Sequence, residues 1–316
     1  GSLNTFLNAM TYPDKTVYPV ASCNDKDFQN LMHVYLDAVF YPNIYKHDEI
    51  FRQEGWSYHL EDVDAPLTYN GVVYNEMKGA FSSPESVLDR AVLNELFPDT
   101  SYANESGGDP EVIPELTYEQ FLDFHRTYYH PSNSYIYLYG DIDAVERLGF
   151  LHEKEVDSQI FFQQPFEEVK EVCIPYSIAS DESEEENTYL SYNKVIGTSL
   201  ERDLYLAFEI LDYALLSAPG APLKTALTDA GIGKDILGSY DNGIYQPIFS
   251  IVAKNANEDQ KDAFIEIIEN VLKDSVKNGI NKNALEAGIN YHEFRYREAD
   301  FGHYPKGLMY GLQMMD

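Results

Sequence analysis

The chain is organised around residues 71–79, which read GVVYNEMKG. The β-branched and aromatic residues at positions 72–74 predict the end of a strand. Asn75 is a good helix-capping residue, so Glu76 is expected in the first turn of a helix, beside its positive end. A carboxylate held on such a rigid element is well placed to serve as a metal ligand. On these nine residues alone, an ordinary acid of a capping turn is the other interpretation.

Length and charge limit the class of protein. The chain has 316 residues, which suggests two domains because one hydrophobic core seldom grows beyond about 250–300 residues. A net charge of -31 argues against nucleic acid and anionic membranes as partners, since few cations are available to neutralise phosphate. Cys23 and Cys173 follow no metal or disulfide spacing, which favours a reducing compartment.

The first half of the sequence alternates short strands with helices. Strands are predicted within residues 3–9 and 16–22 around a turn, with Pro19 making their pairing irregular. Thr117 and Gln120 form the pattern of a capping box that opens a helix. Further predicted elements are a helix capped by Asp25 and ended by Pro42, a hairpin of residues 67–69 with 72–74, a helix resuming after Pro84, a strand at Tyr135–Gly140 and a helix beginning at Asp143.

A similar order of elements returns after the acidic run at residues 181–186. A strand is predicted at 188–196, helices follow, and residues 236–240 and 244–253 are predicted to pair across Asp241-Asn242-Gly243. Each half is therefore predicted to be α+β, with helices packed on one face of an antiparallel sheet. The chain as a whole is predicted to be a duplicated, two-domain protein.

The eight histidines are the first place to search for a metal site. No two of them are four residues apart, so no single helix presents two imidazoles on one face. His125 and His130 lie at a predicted helix end and are predicted to be structural. The residues by themselves thus offer carboxylates, but no complete catalytic site.

Several stretches within residues 1–140 together resemble the presequence-protease branch of the insulinase-like (pitrilysin, or M16) zinc metallopeptidases. In chain order they are GSLNTFLNAMTYPDKTVYPV at 1–20, YLDAVF at 35–40, QEGW at 53–56, GVVYNEMKG at 71–79, LFPD at 96–99, SGGDP at 106–110 and YYHPSN at 128–133. The second half matches by its pattern of elements rather than by motifs. The fold that the resemblance implies is a duplicated insulinase-like unit.

The resemblance also implies a metalloendopeptidase activity and a zinc cofactor. In the family, two histidines of an inverted His-x-x-Glu-His motif and a distal glutamate bind the zinc ion, and Glu76 matches that glutamate. Phe6, Leu7, Asn8 and Ala9 match an edge strand that pairs with an extended, unfolded peptide substrate. A plain sheet strand with Phe6 in the core is the alternative interpretation of these four residues.

This sequence departs from the family pattern because it contains no His-x-x-Glu-His. We therefore expect an internal fragment of a parent enzyme that hydrolyses short unfolded peptides in an enclosed chamber. The fragment itself is expected to be inactive and to bind zinc poorly. The alternative is a non-catalytic insulinase-like scaffold or processing partner. A third interpretation, from charge alone, is a tyrosine-rich acidic module that binds basic peptides.

The resemblance further predicts domain bounds, location and association. Residues 1–157 would hold most of a first, catalytic peptidase unit, residues 158–187 a linker and acidic loop, and residues 188–316 a second, non-catalytic unit. The location would be cytoplasmic in a bacterium, and the mitochondrial or plastid matrix in a eukaryote. Self-association through truncated sheet edges is also expected.

Overall fold

The structure, a computed structural model, describes residues 5–141, 156–299 and 301–315. These residues form two compact units. One holds the described residues up to Phe161 together with His303–Met315, and the other holds those of Phe162–Gly302. Each unit combines helices with small antiparallel sheets, which confirms the predicted α+β class. The predicted domain bounds concern peptidase units of a longer protein and stay predictions.

The first unit opens with a β-hairpin around the predicted turn. Its strands are β1 (Phe6–Leu7), β2 (Met10–Thr11), β3 (Thr16–Val17) and β4 (Val20–Ala21). β1 pairs with β4 and β2 with β3 in one continuous antiparallel register. The Tyr12 N–H donates to the Lys15 carbonyl at 2.8 Å and closes the turn. The pairing is interrupted opposite Asn8 because Pro19 has no N–H to donate, as predicted.

Five α-helices follow the hairpin within residues 5–141, and polar side chains cap three of these five. They are α1 (Asp25–Phe40), α2 (Asp48–Glu54), α3 (Val72–Ala80), α4 (Pro84–Leu96) and α5 (Tyr118–Tyr128). The predicted capping box is present, since the Thr117 and Gln120 side chains each accept the other residue's backbone N–H. The cap of α1 is Asn24, whose side chain accepts the Asp27 N–H at 3.0 Å, and not the predicted Asp25.

The predicted pairing of residues 67–69 with 72–74 is wrong. Two other segments form the hairpin, β5 (Ser57–His59) and β6 (Thr68–Asn70), with Tyr58 opposite Tyr69. The chain turns into α3 directly after β6, and the Asn75 N–H donates to the Gly71 carbonyl at 3.0 Å. Strand propensity is a weak preference. The close backbone contacts of Gly71 therefore override the strand propensity of residues 72–74.

The second unit is built on a three-stranded antiparallel sheet. Its strands are β7 (Thr188–Val195), β8 (Asp235–Asp241) and β9 (Ile248–Ala256), in the spatial order β7-β9-β8. The last two pair as predicted, but residues 242–247 connect them, and not the predicted turn Asp241-Asn242-Gly243. The helices are α6 (Arg202–Asp212), which continues into a π-helical turn at Tyr213–Ser217, α7 (Pro222–Asp229), α8 (Lys261–Asn278) and α9 (Lys282–Glu298).

One face of this sheet carries the core of the second unit. Leu190, Ala253 and Ile236 lie side by side on the three strands, and all three are buried. Helices α7 and α8 and the π-helical turn contribute further large members of the same buried cluster, among them Leu215, Leu223, Leu227, Phe264 and Ile268. Burial of each such side chain stabilises the fold by about 1.5–3 kcal/mol. The predicted packing of helices against a sheet face is thus confirmed.

Asp212, the last residue of α6, is an acid whose burial disfavours its charged form. Its Oδ1 atom is buried and has no hydrogen-bond partner within the described chain. Its Oδ2 atom accepts from the Ser217 hydroxyl at 3.2 Å. Burial raises the pKa of the carboxyl, an effect that the Ser217 hydroxyl and the nearby His292 only partly offset.

Asp212→Asn is therefore expected to stabilise the protein at pH 7. A carboxyl whose pKa is raised by folding favours the fold fully only below its unfolded pKa, and the benefit is lost as pH rises through the folded value. The gain in unfolding free energy should be about 0.5–1 kcal/mol, since partial solvent access weakens the penalty. Urea unfolding at pH 7 should show this gain, and at pH 3.5 it should vanish. The control Asp157→Asn, at an exposed position outside the helices and strands, should change nothing. An Asp212→Asn variant no more stable than the original at pH 7 would contradict the argument.

An extended segment precedes the sheet of the second unit, and a side chain holds it in place. The Gln163 N–H donates to the Gln246 side-chain oxygen at 2.6 Å, and the Gln246 amide donates to the Gln163 carbonyl at 3.2 Å. Both residues are buried. The amide of Gln246 therefore pairs with the backbone at Gln163 in the way that a neighbouring strand would.

The C-terminal helix α10 (Lys306–Met315) belongs to the first unit. A Cβ atom added at Gly307 would lie 2.1 Å from a ring carbon of Tyr139, and one at Gly311 would lie 2.7 Å from a ring carbon of Tyr137. The predicted strand at Tyr135–Gly140 is wrong, because this segment pairs with no strand among the described residues and its rings lie against α10 instead. The helix predicted at Asp143 lies outside the described residues.

Within residues 5–141, 156–299 and 301–315, no helix combines the length and apolar character needed to cross a bilayer.

Candidate functional site

Glu76 lies on α3, and a close approach of two backbone segments fixes where that helix begins. A Cβ atom added at Gly71 would lie 2.2 Å from the Gly55 carbonyl oxygen and 2.8 Å from the Trp56 Cα atom. The φ angle of Gly71, 166°, is extended and open to any residue. Glycine is therefore required here for its missing side chain. Trp56 is held in turn by its indole N–H, which donates to the Leu116 carbonyl at 2.8 Å.

The predicted position of Glu76 within its helix needs correction. α3 begins at Val72, so Glu76 is its fifth residue and lies beyond the first turn. Asn75 is inside the helix and caps nothing; its side chain donates to the Asn70 side-chain oxygen at 2.7 Å. The positive end of the helix therefore does not act on Glu76 as predicted, because that effect fades within the first turn.

The helix face that carries Glu76 is apolar and exposed. Val72 and Val73 lie one turn before Glu76 and are 53% and 37% exposed. Gly79 and Ala80 lie one turn after it and are also exposed. Glu76 itself is exposed, so its carboxylate stands at the centre of an uncovered patch of small apolar residues.

The opposite face of α3 packs against other motifs of the sequence. The Tyr74 ring lies 5.9 Å from the Tyr69 ring. A Cβ atom added at Gly107 would lie 2.3 Å from the Met77 sulfur, so the SGGDP segment lies directly on this helix. The stretches QEGW, GVVYNEMKG and SGGDP, which are separate in sequence, thus meet around α3.

Two tyrosine contacts connect the β-hairpin to the rest of the first unit. The Tyr102 hydroxyl donates to Asp14 at 2.8 Å. The Tyr18 and Tyr129 hydroxyls are hydrogen-bonded at 2.8 Å, and burial together with this bond raises the pKa of Tyr18. The first contact holds the turn of the hairpin, and the second holds the residue that directly follows β3. Neither contact involves the outer strand, β1 and β2.

The outer strand of the hairpin, β1 and β2, has an edge with no strand partner among the described residues. The Asn8 and Tyr12 N–H groups donate toward the paired side of the hairpin. Backbone groups alternate along a strand, so the N–H and C=O groups of Leu7, Ala9 and Thr11 face the open edge. The Ala9 N–H is bonded at 2.9 Å by the Asn8 side chain.

Of the four predicted substrate-binding residues, Leu7 and Ala9 thus present backbone groups at the open edge. The Phe6 ring is half-buried and lies 6.0 Å from the Tyr304 ring, edge to face. The sequence interpretation missed Thr11. Thr11 can be identified from the register of the hairpin, by counting alternate residues outward from the turn.

The described residues do not form a zinc site by themselves. Among them, no group of three or more His, Cys, Asp or Glu side chains is placed to hold a metal ion. Zinc in proteins takes three or four such ligands, and Glu76 supplies one carboxylate. His125 is structural, as predicted: its Nε2–H donates to the Val39 carbonyl at 2.8 Å, and its Nδ1 accepts from the Tyr45 hydroxyl at 2.7 Å.

Comparison with known proteins places these features in a family. Residues 115–291, more than half of the chain, match the family described as the peptidase M16 inactive domain. The chain belongs to this family. The M16 chain is 55% identical over 324 residues to Protein HypA of Clostridium perfringens, covering 100% of this chain and 33% of that protein.

Another relative carries a functional name. Presequence protease 1, chloroplastic/mitochondrial, of Arabidopsis thaliana is 41% identical over 324 residues, covering 99% of this chain and 30% of that protein. The M16 chain thus spans about a third of the length of these relatives. A solved structure, the peptidase M16 inactive domain from Pseudomonas fluorescens, aligns with a TM-score of 0.64 at 17% identity, covering 99% of this chain and 74% of that one. At this identity the likeness shows the fold alone, and the predicted insulinase-like fold is confirmed.

Proposed function

We propose that this M16 chain is part of a zinc metalloendopeptidase that hydrolyses short unfolded peptides in an enclosed chamber. The observation that carries the proposal is the open strand edge at Leu7, Ala9 and Thr11. An extended peptide that adds to this edge would pair with the N–H and C=O groups of Leu7 and Thr11 and with the C=O of Ala9, whose N–H is bonded by the Asn8 side chain. The location would be the cytoplasm in a bacterium, and the mitochondrial or plastid matrix in a eukaryote.

Glu76 is proposed to supply one ligand to the zinc ion. Its exposure and the uncovered apolar surface around it support a further element packing there and bringing the remaining ligands. The 316 residues alone should bind zinc poorly and should not hydrolyse peptides. Self-association through the open strand edges stays a prediction.

The proposed strand addition predicts that peptide binding depends on one set of alternate amides. An unstructured peptide and two N-methylated forms, each methylated at one alternate set of residues, would be titrated by calorimetry with a chelator present. One methylated form should lose binding because its blocked N–H groups face β1, and the other should bind like the parent peptide. Equal effects of the two forms would contradict addition at a single edge, whatever the chain does with zinc.

The alternative function is a non-catalytic insulinase-like scaffold or processing partner. The description of the matched family as an inactive domain favours it. A scaffold has no use for a carboxylate at position 76, whereas the enzyme needs it for zinc. The exposed Glu76 on an uncovered face therefore favours the peptidase.

A further inference from the structure

The hairpin of β5 and β6 carries an aromatic face outside the proposed peptidase site. Tyr58 lies opposite Tyr69, and their ring centroids are 5.5 Å apart. The Trp56 ring contacts both tyrosine rings, with centroid distances of 5.5 and 5.7 Å. Leu60 directly follows β5 and Leu67 directly precedes β6, each two positions from its tyrosine, and both are exposed. One side of this aromatic hairpin is thus a continuous apolar strip.

The rings of this aromatic hairpin are fixed in place, yet largely uncovered. Tyr58 is 63% exposed and Tyr69 is 44% exposed. Trp56 is half-buried, and its indole N–H is already used by the Leu116 carbonyl. The free surface of the cluster is therefore largely aromatic, and the negative faces of such rings attract cations.

The charged side chains within the aromatic hairpin itself are all negative. No Lys or Arg occurs between Arg52 and Lys78 in the sequence. Three exposed carboxylates, Glu61, Asp62 and Asp64, lie in the loop that joins the two strands. The Asp62 side chain accepts the backbone N–H groups of Asp64 and Ala65 and so stabilises the turn. The contacts of the described residues show no such structural role for the carboxylates of Glu61 and Asp64.

Cations already use aromatic rings elsewhere in this unit. Arg90 lies over the Phe81 ring at 4.3 Å and Lys15 over the Tyr12 ring at 5.1 Å. Over Trp56, Tyr58 and Tyr69, no lysine or arginine from the described residues is found.

We propose that the aromatic hairpin is a docking surface for a lysine- or arginine-bearing segment of another polypeptide. The cations of that segment would lie over the rings and toward Glu61 and Asp64, and its apolar side chains would pack on Leu60 and Leu67. A second copy of this chain does not fit, because a net charge of -31 on each copy opposes contact through an acidic loop. The proposal needs neither zinc nor hydrolysis.

Trp56, the only tryptophan of the chain, makes this surface directly observable. The full chain, with a chelator present, would be titrated with a hexapeptide that alternates lysine and leucine. The expected result is a saturable change in tryptophan emission that weakens in 0.5 M salt. A hexapeptide of alternating glutamate and leucine should produce no change. Binding of the lysine peptide without a change in emission would place it elsewhere and overturn the proposal.

Matched variants separate a local site from general attraction to an acidic protein. Glu61→Gln combined with Asp64→Asn should weaken binding about fivefold, from two rim charges of about 0.5 kcal/mol each. The control pair Asp229→Asn and Glu266→Gln, exposed on the second unit, removes the same charge and should change affinity less than twofold. Tyr58→Leu should weaken binding about threefold and Tyr58→Phe should not, because only the former removes the ring. Equal weakening by both charge pairs, or full binding by Tyr58→Leu, would refute the site.

Discussion

Replacing Gly71 with alanine is expected to destabilise the first unit by about 3 kcal/mol. The added Cβ atom would lie 2.2 Å from the Gly55 carbonyl oxygen and 2.8 Å from the Trp56 Cα atom, and these are backbone atoms that cannot rotate aside as a side chain can. Overpacking of this kind costs about 1–3 kcal/mol even where side chains can move aside. Because α3 begins at this contact, relief of the clash would also displace the helix that carries Glu76. Urea unfolding followed by Trp56 emission measures the loss next to the contact.

Gly79→Ala is the matched control, on the same helix. A Cβ atom at Gly79 would meet nothing within 4 Å, and alanine is the better helix former by up to about 1 kcal/mol. This variant should be as stable as the original chain or slightly more stable. If Gly71→Ala unfolds at the same urea concentration as Gly79→Ala, the backbone contact does not hold α3.

Replacing Glu76 with glutamine is expected to lower zinc affinity at least about a hundredfold in a protein as long as the relatives. Loss of an outer-shell partner already costs about 10–100-fold in metal affinity, and a direct ligand should cost more. Hydrolysis should fall with zinc content, as measured by metal analysis and peptidase assay of the same preparations. Unchanged zinc content would remove Glu76 from the ligand set.

Two controls connect that loss to the ligand role of Glu76. Glu111→Gln, another exposed carboxylate of the first unit, should leave zinc content unchanged. In the 316-residue chain, Glu76→Gln should change the unfolding free energy by less than about 0.5 kcal/mol, because the side chain is exposed. A complete protein that holds no zinc with either residue at position 76 would favour the scaffold.

Local signals in the sequence predict much of this fold correctly. The capping box at Thr117 and Gln120 depends on residues three apart, and the structure contains both of its bonds. The interruption at Pro19 follows from a missing N–H, which is a property of one residue. The alternation of residues 188–196, which predicts the strand found as β7, is equally local, since one face of a half-buried strand must be apolar.

Tertiary contacts decide where these local signals fail. Residues 72–74 have strand propensity, yet they form the first turn of α3, because Gly71 meets Gly55 sixteen positions earlier. Tyr135–Gly140 reads as a strand by composition, but its rings meet a helix that begins at Lys306. Contacts at such separations leave no mark in the periodicity of a short segment.

For the candidate site, too, the sequence predicts part of the arrangement and tertiary contacts decide the rest. The resemblance predicts which residues to consider, Glu76 and the strand from Phe6 to Ala9. Which backbone groups of that strand are open depends on the register of the hairpin, and the exposure of Glu76 depends on which elements pack on α3. Neither follows from residue type.

The pairing of Gln246 with the backbone at Gln163 has a consequence for how this sequence can vary. The contact uses the N–H and C=O groups of position 163, which nineteen of the twenty amino acids possess. It uses both ends of the side-chain amide at position 246, which only asparagine and glutamine carry, and asparagine is one methylene shorter. Substitutions at position 163 are thus limited only by side-chain size and by the exclusion of proline. Substitutions at position 246 are limited by the need for a side-chain amide.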